Sequence, residues 1–122
     1  MEKEKQLSLL THDQLPPKKF NPRMDEQEQR LLHLIPKGTE HPVKASRLCE
    51  VLRIPPRSLY DLINHLITVH GIGIGATRGK NAGYFIIQNR TELTKASAPL
   101  KAQAVRMFER IHALDIIVKD KE

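Results

Sequence analysis

Residues 45–87, ASRLCEVLRIPPRSLYDLINHLITVHGIGIGATRGKNAGYFII, determine the fold of this 122-residue chain. At the start of this stretch, apolar side chains recur at positions i, i+3, i+4 and i+7, which predicts a short helix with one buried face. A similar apolar stripe runs from Leu59 to Leu66 and predicts another helix, with Pro56 well placed in its first turn. Because residues 53–55 form such a short connection, the two helices are expected to cross as a helix-turn-helix.

The apolar period changes from 3.6 to 2 residues after Gly71, which is a typical helix stop. The residues that follow predict two short strands, and the turn between them spans residues 78–83. We therefore expect a β-hairpin over residues 72–87. Its tip is basic, because it carries Arg78 and Lys80.

Further elements flank this central stretch. An apolar face predicts a first helix over residues 22–35, with Asn21 as its N-cap. Val43 is a candidate for a minimal strand. Helical periodicity returns from Thr91 onward, and Pro99 either kinks that helix or marks its true first turn.

The predicted fold class is therefore mainly α with a small β-hairpin, an α+β arrangement. A hairpin directly after a helix-turn-helix forms a wing, so the unit is a winged helix-turn-helix with an added C-terminal helix. We expect a flexible N-terminal arm over residues 1–21 and the winged domain over residues 22–90. Residues 91–122 would form the C-terminal helix, used for packing or dimerisation, and a short tail.

Composition excludes several classes of protein. The chain is too short for an α/β barrel, and its single cysteine, Cys49, excludes an intramolecular disulfide framework. It contains no apolar run long enough to cross a bilayer and no recognisable secretory signal. We therefore expect a cytoplasmic protein with no membrane partner.

The positive charge is concentrated in the middle of the chain. The formal net charge is +6, and residues 44–90 carry seven basic and two acidic side chains, a net charge of +5. A concentrated basic field favours a polyanionic partner, because each neutralised phosphate releases a counterion. The alternative is that the charge only promotes solubility.

Catalytic and metal motifs are not predicted. Residues 71–76 match the dinucleotide fingerprint G-x-G-x-x-A, but a predicted helix precedes them and a hairpin follows, the wrong context for that motif. His65 and His70 are five residues apart and are expected on different helical faces, which argues against a metal site. The carboxylates share no common face. The sequence therefore indicates no enzyme, no cofactor and no small-molecule substrate.

Residues 30–86, RLLHLIPKGTEHPVKASRLCEVLRIPPRSLYDLINHLITVHGIGIGATRGKNAGYFI, resemble winged helix-turn-helix proteins of bacterial phages and prophages. They are more distantly similar to the DNA-binding domain of biotin-repressor-like regulators. The following LKAQAVRMFERIHAL resembles a C-terminal helix of the phage group. Lys44 and Pro55 depart from the pattern, since capping residues usually stand there. The resemblance implies duplex DNA binding in the bacterial host cytoplasm, by a transcriptional regulator or a replication accessory factor.

Residue roles follow from the expected docking geometry. The N-terminal and outward side chains of a recognition helix meet base edges in the major groove, and a wing reaches phosphates or the minor groove. The first role falls to Arg57, Ser58, Tyr60, Asp61 and Asn64. The second falls to Lys44, Arg47, Arg53, Arg78, Lys80 and Asn81. The alternative is that these residues form a solvated surface.

The C-terminal helix carries an apolar stripe that must be buried somewhere. It consists of Leu100, Ala104, Met107, Phe108, Ile111 and Leu114. It packs either on the chain's own first helix or on a second copy in a homodimer. Two functions therefore remain open: a duplex DNA-binding protein, and a winged-helix interaction module that binds protein partners and not DNA.

Overall fold

The computed structural model describes residues 18–121. The elements in this range are α1 (Glu26–Leu34), α2 (Ala45–Leu52), α3 (Pro56–Thr68), β1 (Ile74–Thr77), β2 (Gly83–Ile86) and α4 (Arg90–Lys121). The two strands form one antiparallel hairpin, so the α+β class predicted from the sequence is confirmed. None of the helices described combines the length and the apolar character that a membrane crossing requires. Most of the expected N-terminal arm, residues 1–17, lies outside the described residues.

The first helix begins later than the sequence indicated. Asp25, and not Asn21, is its N-cap. The Asp25 carboxylate accepts the backbone N–H of Glu28 at 2.8 Å, and the Glu28 carboxylate accepts the N–H of Asp25 at 3.0 Å. This reciprocal capping box satisfies two backbone donors at once. Asn21 instead accepts the N–H of Arg23 at 2.9 Å within the segment before the helix.

The predicted tight connection between α2 and α3 is present. Arg53 adopts the left-handed conformation, with φ 55° and ψ 50°, and ends α2. Pro55 is extended, and Pro56 occupies the first turn of α3 as predicted. A proline at this position loses no helical hydrogen bond, because the first N–H groups of a helix have no partner within it.

The core lies where α1, α2, α3 and β1 meet. The apolar stripes predicted for α2 and α3 form its centre, and fully burying one such aliphatic side chain contributes about 1.5–3 kcal/mol. The buried cluster is Leu31, Ile35, Leu48, Leu52, Leu59, Ile63, Leu66 and Ile74.

The hairpin is shorter than the predicted range of 72–87, with Ile74 paired to Ile86 at its base. A single antiparallel bridge adds Val43 beside β2, which confirms the minimal strand. The N–H of Val43 donates to Tyr84 O at 2.9 Å, and the N–H of Tyr84 donates to Val43 O at 2.7 Å. Gly83 permits this approach, because a Cβ there would lie 2.6 Å from the same carbonyl oxygen.

Gly75 allows α4 to approach the hairpin. A Cβ on Gly75 would lie 2.8 Å from Cζ of Phe85 and 3.1 Å from Cβ of Ala96. The space beside Gly75 is therefore filled by the ring of Phe85 and by α4. The start of α4 is fixed by Asn89, whose side chain accepts the N–H of Glu92 at 2.9 Å.

α4 is a single long helix with Pro99 inside it, so Pro99 does not mark its first turn. Its N-terminal part packs on β1, but none of its residues is buried. Beyond Glu109, every described residue of the helix is exposed. The C-terminal half of α4 therefore extends away from the core.

Candidate nucleic-acid interface

α3 presents a polar face to solvent. Its apolar stripe is buried, which turns the remaining side chains outward. The exposed members of the predicted recognition set are Arg57, Tyr60, Asp61 and Asn64. Tyr60 is 67% exposed, an unusual position for a large aromatic side chain that makes no core contact. Ser58 is half-buried, so its hydroxyl is less available than the sequence indicated.

The N-terminus of α2 is the second part of the surface. Lys44 is its N-cap residue but makes no side-chain capping hydrogen bond, and no acidic residue lies in the first turn. The positive N-terminal end of the α2 dipole is therefore not neutralised by an acidic side chain in the first turn. Arg47 is exposed and lies 4.0 Å from Glu50, an exposed pair worth little in free energy that leaves the guanidinium available.

The connection and the hairpin turn carry the remaining cations. Arg53 is exposed at the end of α2. Arg78, Lys80 and Asn81 are exposed in the turn between the strands. The hydroxyl of Thr77 donates to Asn81 O at 2.6 Å and so braces this turn.

A groove of about 470 Å³ joins the hairpin to the start of α2. Lys44 and Ser46 line it from the helix, and Thr77, Lys80 and Tyr84 line it from the hairpin. Burial raises the pKa of the Tyr84 phenol, and the nearby Cys49 and Tyr60 act in the same direction. The described lining of the groove contains no acidic side chain. Its ionisable character is therefore cationic, which suits an anion.

The residues predicted to contact bases and those predicted to contact phosphates do not all lie on one surface. The groove brings Lys44 together with Lys80, whereas Arg57 and Asn64 are exposed on α3 and do not line it. The arrangement offers one cationic groove and one separate polar helix face.

The apolar stripe of α4 is not covered in the described chain. Leu100, Met107, Ile111 and Leu114 are each more than half exposed, at 65, 52, 57 and 55%. Ala104 and Phe108 are partly buried. Packing on α1, one of the two alternatives, therefore does not bury most of the stripe.

A polar cluster of Glu28, His65 and His70 joins α1 to the end of α3. It was not predicted from the sequence. The expectation that His65 and His70 lie on different helical faces is wrong, because α3 ends at Thr68 and His70 lies beyond it. The two rings meet edge to face with their centroids 4.9 Å apart. His65 Nδ1 and His70 Nε2 each lie 2.8 Å from the same carboxylate oxygen, Oε2 of Glu28.

Glu28 is a buried carboxylate held by several groups. Burial raises its pKa, but this effect is outweighed by the N–H of Asp25, by the hydrogen bond with His65 and by the positive charge that His70 and His65 carry when protonated. The net pKa of Glu28 is lowered, so the carboxylate is ionised. A glutamate in the first turn of a helix is usually exposed, so the position of Glu28 in the sequence did not predict its burial. The signal in the sequence that could have located Glu28 is its capping-box spacing from Asp25.

These features define an α+β protein with a cationic groove beside a small hairpin. Searches among protein-family models, curated proteins and solved structures found no match to the chain.

Proposed function

We propose that this protein binds duplex DNA as a winged helix-turn-helix, with α3 in the major groove and the hairpin as the wing. The observation that carries the proposal is the groove shared by Lys44 and Lys80, because it places helix and hairpin cations where one phosphate strand can meet both. The exposed polar face of α3 supplies side chains suited to base edges.

Charge and chemistry support this assignment. Arginine forms bidentate hydrogen bonds with guanine and asparagine with adenine, so Arg57 and Asn64 are the best candidates for reading sequence. Lys44, Lys80 and Arg78 would hold phosphates and set the position of the protein without reading sequence. The setting we propose is the cytoplasm of a phage-infected or prophage-carrying bacterium, with a role in transcriptional regulation or replication.

We propose that a second copy of the chain covers the stripe of α4. Leu100, Ala104, Met107, Ile111, Leu114 and Val118 follow alternating steps of four and three residues, a heptad seam. In this heptad, β-branched Ile111 and Val118 occupy positions of type a, and Leu100 and Leu114 occupy positions of type d. This pattern favours a parallel coiled coil of two helices.

The charges that flank this seam suit the same arrangement. Arg110 falls at a g position and Asp115 at the following e position, so each Arg110 would face Asp115 of the second copy across a parallel seam. In the single chain Asp115 pairs with Lys119 at 3.2 Å on an exposed surface, an interaction that is easily exchanged. A parallel pair would hold two copies of α3 for two half-sites in DNA.

The second candidate function is a protein-interaction module that does not bind DNA. The exposed apolar side chains of α4 favour it, because a surface of this kind commonly marks a protein interface. The cationic groove favours the DNA-binding function.

Selection from a random duplex library separates these candidates. The protein is immobilised, bound duplexes are amplified over several rounds, and the enriched pool is sequenced. DNA binding by α3 predicts one enriched motif, which is lost when Arg57 and Asn64 are both changed to Ala. A pool with no enriched motif and no retained duplex would favour the interaction module.

A further inference from the structure

We infer that Glu28, His65 and His70 form a binding site for a divalent transition-metal ion of the Zn²⁺ class. The inference does not depend on DNA binding, because all three residues lie outside the groove between α2 and the hairpin.

The hydrogen bond at the far side of His70 fixes the state of its ring. His70 Nδ1 lies 2.6 Å from the backbone carbonyl oxygen of Asn21. A carbonyl oxygen only accepts hydrogen bonds, so Nδ1 carries the proton. In the neutral ring, Nε2 is then an unprotonated acceptor.

The Nε2 acceptor of His70 lies next to a carboxylate oxygen of Glu28, which is also an acceptor, and both side chains are buried. Nε2 of His70 lies 2.8 Å from Oε2 of Glu28, and the side chains are 3% and 5% exposed. The nitrogen makes no hydrogen bond, although the distance is short enough for one. Two lone pairs at this distance repel each other, so a positive charge is required beside them. Because Nε2 makes no hydrogen bond at this short distance, a proton on it would point away from Oε2, whereas a metal ion placed to one side would contact both atoms.

His65 completes a donor set suited to such an ion. Its Nδ1 lies 2.8 Å from Oε2 of Glu28, and the ligand atoms of the three residues all lie within 4.8 Å of one another. Two imidazoles and one carboxylate are a common protein donor set for Zn²⁺ at about 2.0–2.2 Å from the ion. Because the His65 side chain is 51% exposed, solvent could reach the ion and fill its fourth position.

The surrounding hydrogen bonds have the form found around metal ligands. A ligating histidine usually donates its other N–H to a carbonyl or a carboxylate, as His70 does to Asn21. Glu28 is held on its second oxygen, Oε1, by the N–H of Asp25 at 3.0 Å. A bound ion would therefore tie the start of α1 to the end of α3 and to the segment before α1.

The test uses the full chain with any affinity tag removed, first stripped with a chelator and then titrated with Zn²⁺ or Co²⁺. We expect one equivalent to bind, the Co²⁺ form to show visible absorption, and Zn²⁺ to raise the unfolding temperature. His65→Ala and Glu28→Gln should each lower the affinity at least about tenfold. The glutamine variant retains the capping box, since Gln serves at that position as Glu does.

The control is a His33→Ala, His112→Ala double variant, which removes two exposed histidines outside the cluster. It should bind the metal as the natural chain does. No binding to the natural chain, or equal binding by the natural chain, His65→Ala and Glu28→Gln, would overturn the inference. An unfolding temperature that does not change when Zn²⁺ is added would likewise contradict the inference.

Discussion

Lys44, the N-cap residue of α2, and Lys80, in the turn of the hairpin, line one groove although α2, α3 and β1 separate them in the sequence. The bridge between Val43 and Tyr84 produces this arrangement, because it fixes the residue before Lys44 against the second strand. Two cations from distant elements therefore share one surface, and the proposed phosphate contacts rest on this relationship.

If the proposed DNA binding holds, removing the cations of the hairpin turn should weaken it without regard to sequence. We expect Arg78→Ala, Lys80→Ala to lower affinity for selected and random duplexes alike. Each lost phosphate contact should flatten the slope of log K against log salt by about 0.9. The matched control is Lys95→Ala, Lys101→Ala, which removes the same charge from exposed positions on α4. An equal loss in both variants would show that net charge alone acts.

Changes on α3 should affect selected sites far more than random DNA. Arg57→Ala or Asn64→Ala should cost about 1–3 kcal/mol on the selected duplex and little on a random one, because base contacts discriminate between sequences. Both side chains are exposed, so the free energy of unfolding should change by about 0.5 kcal/mol or less. Fluorescence anisotropy on both duplexes and urea unfolding measure these quantities. Equal losses on the two duplexes would remove base reading from the mechanism.

Gly75 should not tolerate a side chain. Gly75→Ala places a methyl group against the ring of Phe85 and against Ala96, so we expect a loss of about 1–3 kcal/mol in the free energy of unfolding. At Gly73 the nearest atom to an added Cβ is Cβ of Ile87 at 3.9 Å, an ordinary contact. Gly73→Ala should therefore change stability by less than about 1 kcal/mol. Similar urea midpoints for the two variants would contradict the packing described here.

The stripe of α4 should support a dimer. We expect the natural chain to sediment as a dimer at micromolar concentration and Met107→Glu, Leu114→Glu to sediment as a folded monomer, because both side chains are half exposed in the single chain. Val105→Glu is the control, since Val105 is also 50% exposed but lies off the heptad seam. A natural chain that sediments as a monomer would end the dimer proposal. A Met107→Glu, Leu114→Glu variant that unfolds would contradict the expectation that these half-exposed side chains contribute little to the stability of the single chain.

Local patterns predicted most of the fold. The stripes from Leu48 to Leu66, the proline at the start of α3 and the single strand residue Val43 were all readable, because each follows from short-range periodicity or from one residue's geometry. The start of α1 was not predicted correctly. Asn21 and Asp25 are both good N-cap residues, and only Asp25 has a glutamate at the spacing that completes a capping box.

The candidate sites were less readable, because they depend on contacts between distant segments. The groove between Lys44 and Lys80 requires the bridge between Val43 and Tyr84. The β character of Val43 suggested a short strand, but it did not show which strand Val43 would pair with. Helical spacing places His70 on α3, whereas the helix ends at Thr68 and the N–H of His70 donates to His65 O, five residues back, at 3.4 Å. The His70 ring contacts Glu28 from this wider turn, a contact that helical spacing does not predict.

Titration of a random-sequence duplex at low and moderate salt is the most direct test of phosphate binding by the groove and the hairpin turn. If the five cations Lys44, Arg47, Arg53, Arg78 and Lys80 all contact phosphates, the slope of log K against log salt should be about −4.5. The slope should fall in magnitude when Lys44 and Lys80 are both replaced by Ala, and the fold should be kept. Absence of binding even at low salt, with a folded protein, would contradict duplex DNA binding by this protein.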